Sequence, residues 1–282
     1  MIVSRFAPSP TGRLHLGHAL SAVRAHDLAR ADGGRFLLRI EDIDTARSRP
    51  AHVDAIIDDL HWLGLAWDGP VVFQSDRMRL YRAGLARLEG EGLVYPCFCT
   101  RAEIAASTVA PHGPVAPYPG TCRALSPAER RARSGEAHSL RLDVAAALAR
   151  TGPLHWHDET AGSVAADPAA GGDVVLARKD LGTSYHLSVT LDDAGQDVTD
   201  VVRGRDLFEA THVHRLLQAL LDLPTPRYHH HPLVVGGDGE RLAKRHGSPT
   251  LENLRLAGVD GHALADGIRA GRLPLGFALG AP

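Results

Sequence analysis

The chain has 282 residues, 44% apolar and 23% charged, enough to bury a core that hides roughly three quarters of the surface its unfolded form exposes. Lys and Arg number 31 against 33 Asp and Glu, and the formal net charge of -2 argues against a general polyanion binder or a membrane-surface protein. No run approaches the ~20 apolar residues that a bilayer-spanning helix needs, and the opening MIVSRFAPSPTG has no signal-peptide core, so a cytoplasmic protein is expected.

In chain order, Ile2, Val3 and Phe6 form a short apolar strand, and the APSPTG run behind it can continue neither a helix nor a central strand. From His18 to about Ala31, the residues Ala19, Leu20, Val23 and Leu28 approximate one helical face, with Gly33 and Gly34 as the stop. Phe36 to Ile40 reads as a buried strand, which completes a βαβ unit with its right-handed crossover and makes an open α/β sheet the expected fold class. Asp76 to Glu89 reads as a further amphipathic helix. Between about Val94 and Ser163, Pro and Gly punctuate a stretch that holds all three cysteines and a polar helical patch near Pro127 to Arg133, and this reads as an insertion. The sheet pattern returns near Val174, with DVVLAR, YHLSVTLDD and DVTDVVRG read as strands, and a helix follows from about Leu207 to Leu221. Expected divisions are 1–93 and 174–223 as two halves of a core, 94–173 as the insertion, and 224–282 as a loop region with a short helical tail. No internal repeat is visible.

Three constellations carry chemistry. RFAPSPTGRLHLGH, from Arg5 to His18, sets a turn rich in Pro and Gly before a helix, whose free N–H groups and positive dipole end suit a phosphate. Gly17 admits a flat base or ribose to the backbone, and His15 and His18 can donate to phosphate oxygens. Far along the chain, RLAKR at 241–245 lies in a Gly-rich stretch, and Lys244 is one of only two lysines beside 29 arginines, the other being Lys179. A basic loop of this kind can neutralise charge as pyrophosphate departs. Cys97, Cys99 and Cys122 are an odd count clustered within 26 positions, which suits a metal better than a disulfide framework. A closed tetrahedral zinc site needs a fourth ligand, for which ligand chemistry alone favours His112. His229, His230 and His231 point in different directions if consecutive on one element, so they are read as a polar loop and not as a metal site.

Together, RFAPSPTGRLHLGH, LRIEDID at 38–44, YHLSVTLDD at 185–193, VTDVVRG at 198–204 and RLAKRHG at 241–247 resemble the catalytic core of class I glutamyl-tRNA synthetases, in the expected order and over nearly the whole chain. The resemblance implies a Rossmann-like, HUP-type parallel sheet with a zinc-bearing insertion and a short helical C-terminal part. It implies an enzyme, a ligase that activates L-glutamate with ATP and Mg²⁺. Glutamate would lie against Arg5, Ala7, Ser9, Glu41, Tyr185 and Arg203. ATP would lie against Pro8, Gly12, His15, Gly17, His18 and Lys244, with His15, His18 and Lys244 in the catalytic role. The donor chemistry agrees, because a dicarboxylic amino acid has two anionic ends for arginines and one cationic end for a carboxylate. Which arginine serves which end is open at this point. The family's strand after the Tyr usually carries Asn four residues on, where this chain has Val189, so weaker glutamate binding or a changed pose is expected.

The C-x-C … Y-x-x-x-C arrangement is similar to the zinc element of the truncated glutamyl-queuosine subfamily and points to Tyr118 as fourth ligand, with His112 or water as the alternative. Only 34 residues follow Ser248, fewer than a helical anticodon-binding module needs. The resemblance to the truncated subfamily implies as acceptor the queuosine cyclopentenediol in the anticodon loop of tRNA(Asp), and a monomer is expected. The alternatives are a glutamyl-tRNA synthetase served by a separate anticodon module, a non-catalytic paralogue that senses glutamate or adenylate, and, remotely, another nucleotidyltransferase with the H-x-G-H signature.

Overall fold

The structure is a computed structural model, and it describes residues 1–100, 103–104, 118–236 and 249–280. Three parallel strands open the chain: β1 (Val3–Phe6), β2 (Arg35–Ile40) and β3 (Val72–Phe73), ordered β1-β2-β3. Helix α1 (Leu16–Ala31) crosses from β1 to β2 as the apolar spacing predicts. Its buried side is rich in alanine, with Ala19, Ala22, Ala25 and Ala29 beside Leu16, Leu20 and Val23, which lets the helix lie close to the sheet. Gly34 is required where β2 begins, since a Cβ there would stand 2.0 Å from the Ile2 carbonyl oxygen.

Helix α2 (Pro50–Trp62) and helix α3 (Met78–Gly90) follow, the latter behind a single 3₁₀ turn. Next come β4 (Val94–Cys97), α4 (Pro127–Ala132), β5 (Ser139–Leu142), α5 (Val144–Thr151), the hairpin β6 (His155–Asp158) with β7 (Gly162–Ala165), and β8 (Val175–Ala177). Helix α6 (Tyr185–Gly195), β9 (Asp200–Gly204), α7 (Phe208–Leu220) and β10 (Arg227–His231) complete the core. The last elements are β11 (Val234–Gly236), α8 (Leu251–Leu256), α9 (Gly261–Arg269) and β12 (Phe277–Leu279), with β11 and β12 paired antiparallel.

β10 runs parallel to both β9 and β6. β9 lies beside β1: the N–H of Thr199 donates to the Val3 carbonyl at 2.9 Å, and the Val3 N–H donates to the Thr199 hydroxyl at 2.9 Å. Two blocks of parallel strands thus meet at β1 and β9, where the order reverses. That is the switch point at which open α/β sheets bind ligands, outside the carboxyl ends of the strands.

Three expectations need correction. YHLSVTLDD is not a strand but the helix α6, started by Ser184, whose hydroxyl accepts from the Leu187 N–H. DVVLAR does contain a strand, but β8 pairs antiparallel with β5, which pairs with β4, while β6 joins the sheet of β9 and β10. The sheets therefore interleave across the division drawn at 173/174. His229, His230 and His231 lie on the strand β10, and His230 and His231 are buried.

Candidate active site

A cavity of about 330 Å³ opens at the switch point. Of the residues expected to contact an amino acid, Arg5, Ala7, Ser9, Glu41, Tyr185 and Arg203 all line it. So do Pro8, His15, Gly17 and His18 from the expected nucleotide set, whereas Gly12 is not among the lining residues. Lys244 and the rest of its motif lie outside the described residues, as does His112. The described residues on either side of that motif are close to the site: Val234 lines the cavity, and Thr250 forms a β-bridge with His15.

The start of α1 is built by its two histidines. His15 is the N-cap, and its Nδ1 accepts the Gly17 N–H at 3.1 Å, while His18 Nδ1 accepts the His15 N–H at 3.1 Å. This is a capping box made of imidazoles instead of Ser and Glu. With Nδ1 an acceptor in both rings, each carries its ring proton on Nε2. A Cβ on Gly17 would lie 3.1 Å from the His15 ring, so the glycine also makes room for the cap itself.

Charge around the cavity is set by α6. Asp193 receives Arg5 Nε at 2.9 Å and Arg39 Nη1 at 2.9 Å. Asp192 receives Arg77 Nε at 2.6 Å, the Tyr81 hydroxyl at 2.8 Å and Gln74 Nε2 at 2.8 Å. Arg39 also reaches Glu41 at 3.3 Å. Burial works to raise the Asp193 carboxyl, but Arg5 and Arg39 outweigh it and hold it below the ordinary range. Glu41 goes the other way: burial raises its carboxyl against the opposing pull of Arg39 and Arg5. Val189 is buried and is not among the lining residues.

The cysteines converge as expected. The Cys97, Cys99 and Cys122 sulfurs all lie within 4.8 Å of one another, and Tyr118 Oη stands 3.3 Å from Cys97 Sγ and 3.7 Å from Cys99 Sγ. Cys99 and Cys122 are 3.5 Å apart. A tetrahedral ion with Zn–S near 2.3 Å and Zn–O near 2.0 Å has edges of about 3.5–3.8 Å, close to the 3.3, 3.7 and 3.5 Å separations of these donors. Lys179, the second of the two lysines, fastens the Cys97–Cys99 turn by donating to the Phe98 carbonyl at 3.1 Å. Beside the cluster lies a larger cavity of about 870 Å³, whose walls include Cys99, Tyr118, Arg141, Arg178, Lys179 and Tyr185. Tyr185 thus faces both cavities.

Residues 1–270 match the model of the family described as tRNA synthetases class I (E and Q), catalytic domain. The chain belongs to the class I (E and Q) tRNA synthetases. It is 53% identical to a glutamyl-Q tRNA(Asp) synthetase of Rhodobacter capsulatus, over 92% of this chain and 96% of that one. With a protein of the same name from Symbiobacterium thermophilum it shares 49% identity, over 92% of this chain and 83% of that one. A crystal structure of a glutamate-tRNA synthetase from Elizabethkingia anophelis superimposes with a TM-score of 0.75 at 27% identity, covering 88% of this chain and 54% of that one. The chain therefore spans about half the length of that solved relative. Among the described residues no helix is long and apolar enough to cross a membrane.

For a class I synthetase the sequence reading missed the supporting shell. The acids Asp192 and Asp193 were visible only as the end of a supposed strand. His230 and His231 read as loop, yet His231 lines the cavity and accepts the Ser21 hydroxyl at 2.7 Å through Nε2, its Nδ1–H going to the Pro232 carbonyl at 2.9 Å. Their signal was the unusual density of histidine in an otherwise strand-like segment between the helix ending at Leu220 and the β11 strand.

Proposed function

We propose that this ligase activates L-glutamate with ATP, without tRNA, and then transfers glutamate to the queuosine cyclopentenediol in the anticodon of tRNA(Asp). The observation that carries the activation step is a single cavity at the switch point that holds Arg5, Glu41, Tyr185 and Arg203 beside the His15 and His18 cap. In this reading the arginines take the two carboxylates of glutamate, Glu41 the ammonium group, and Tyr185 adds a hydroxyl. The amino-acid carboxylate attacks the α-phosphorus of ATP in line, giving glutamyl-adenylate and pyrophosphate. No covalent enzyme intermediate is needed, so position and charge stabilisation are the protein's contribution. His15, His18 and the first turn of α1 face the phosphates, Pro8 and Gly12 belong to the turn before them, and Lys244 neutralises the leaving pyrophosphate, with Mg²⁺ arriving on ATP.

The acceptor is inferred from the relatives named glutamyl-Q tRNA(Asp) synthetase. The larger cavity supports it, since it shares Tyr185 with the amino-acid site and brings Arg178 and Lys179 to its wall. A polynucleotide loop entering there would meet cations on its way to the adenylate. The metal ion held by Cys97, Cys99, Tyr118 and Cys122 is zinc in this reading, and its place away from the His15 cap makes it structural. The protein acts in the cytoplasm as a monomer.

Glutamate-dependent ATP–pyrophosphate exchange without tRNA is the first test, followed by transfer of labelled glutamate to tRNA(Asp) with and without queuosine. Exchange and queuosine-dependent transfer are expected. Absence of exchange rejects the activation step, and transfer indifferent to queuosine, or to the terminal adenosine of tRNA(Glu), rejects the acceptor.

A further inference from the structure

The two arginines of the cavity are held in opposite ways. Arg5 touches a carboxylate, Asp193. Arg203, only 5% exposed, touches none: its Nε donates to His230 Nε2 at 3.1 Å, Nη1 to the Tyr185 hydroxyl at 3.1 Å and to His214 Nδ1 at 3.4 Å, and Nη2 to the Thr211 hydroxyl at 2.5 Å. Among the described residues no acid stands within ion-pair distance of it.

A guanidinium only donates, so the imidazole nitrogens that face it carry no hydrogen. The ring proton of His230 is therefore on Nδ1, where Asp158 accepts it at 2.7 Å. Asp158 is itself fixed, accepting the Thr160 and Ala161 N–H groups at 3.0 Å each. Phe208 and Trp156 wall the His230 ring, with centroids at 5.0 and 5.8 Å, so it keeps its orientation. Burial and the adjacent Arg203 charge depress the ring's affinity for a second proton, against the pull of Asp158, to a pKa of about 4. The Asp158 carboxylate is thus one neutral imidazole away from Arg203. It offsets part of the cost of burying a cation without occupying the guanidinium.

We propose that the Asp158–His230 pair is the positioning device of Arg203, holding it through an uncharged acceptor so that its charge is kept for a carboxylate of the bound amino acid. The proposal rests on reading the cavity as the glutamate site. At Arg5 an incoming carboxylate must share its partner with Asp193 and meets like-charge repulsion, whereas at Arg203 it replaces no acid. Asp158 and His230 do not line the cavity, so neither is a catalytic residue.

The test compares H230Q with H230E, two side chains of equal length that present Arg203 with an uncharged or a charged oxygen. ATP–pyrophosphate exchange is measured at varied glutamate and at varied ATP. The KM for glutamate is expected to be at least about tenfold higher in H230E than in H230Q, with the KM for ATP within about twofold. Equal glutamate KM values overturn the proposal, and so does a matching rise in the KM for ATP. Wild-type protein without glutamate-dependent exchange rejects the reading of the cavity, and the proposal with it. Exchange in the wild type combined with equal variants rejects the proposal alone. If either variant fails to fold, ¹⁵N spectra of histidine-labelled wild-type protein decide: His230 is expected as the neutral Nδ1–H form at neutral pH, and a protonated or Nε2–H ring overturns the proposal.

Discussion

Asp193→Asn removes one charge and no volume from the point where Arg5 and Arg39 meet. The carboxylate is 8% exposed and accepts both guanidinium groups at 2.9 Å, so the variant leaves two buried cations with one fewer counter-ion and turns an amide NH₂ toward one of them. Breaking a buried ion pair from one side costs about 3–5 kcal/mol. For a chain of this size each kcal/mol lowers Tm by about 2–3 °C, so a fall of roughly 6–15 °C is expected in a thermal melt at pH 7 and fixed scan rate. The pH dependence supplies an internal check. Because the folded carboxyl is held below its ordinary value of 3.8, its contribution is complete above that pH and is lost as pH falls through the folded value. The gap between wild type and variant should therefore be flat from neutral pH to about 5 and close in stronger acid. A variant that melts within about 2 °C of wild type at pH 7 would show that Asp193 does not carry the charge of these arginines, and the account of Arg5 would fall with it.

Lys244→Ala should lower glutamate-dependent exchange by at least about tenfold, a loss of roughly 1.4 kcal/mol of transition-state stabilisation, and unchanged exchange would remove Lys244 from the ATP site. Cys97→Ser should lose zinc in elemental analysis and lower Tm before it alters the KM for ATP; retained zinc at one ion per chain refutes the ligand set. His186 is held down to a pKa of about 4 by burial and by Arg203, and its Nδ1 lies 3.2 Å from His214 Nε2. Below about pH 6.5 the unfolded chain takes up a proton that the folded ring refuses, so this ring lowers stability as pH falls, by about 2 kcal/mol between pH 7 and 5. His186→Gln should flatten the pH dependence of urea unfolding by that amount, and an unchanged slope would refute the assignment.

The contacts a motif makes with its ligand were easier to read than the contacts that hold the motif. Arg5, Glu41, Tyr185 and Arg203 were identified by likeness to a family, and they share one cavity. The element bearing Tyr185 reads as a strand because α6 is buried nearly all round: Leu187 through Asp193 are all buried, so no polar stripe reveals a 3.6-residue period. Alternating Leu187, Val189 and Leu191, with Thr190 between, imitates a strand instead. Only Ser184 at the N-cap spoke for a helix. The histidines of β10 mislead in the opposite sense, since three consecutive polar residues read as a loop and form a strand. His230 and His231 are buried and His229 half-buried because each finds its own partner: Asp200 for His229 at 2.8 Å, Asp158 for His230 and Ser21 for His231.

The pairing of β1 with β9 explains why neither half of the site could be judged alone. Nearly two hundred residues separate Val3 from Thr199, and no periodicity in either strand announces its neighbour. Their main-chain contact lies at the start of both strands, and no β-ladder joins them beyond it. Toward the carboxyl ends, where Arg5 and Arg203 sit, the cavity takes the place of further pairing. There each backbone is paired on its outer side only, Arg5 with Leu37 of β2 and Arg203 with His230 of β10. Asp193 on α6 braces the Arg5 side chain, while His230 on the neighbouring strand β10 braces that of Arg203. In the crevice between the two strands, buried side-chain bonds thus fix the guanidinium groups, and among the described residues Arg203 is the lining arginine whose partners are all uncharged.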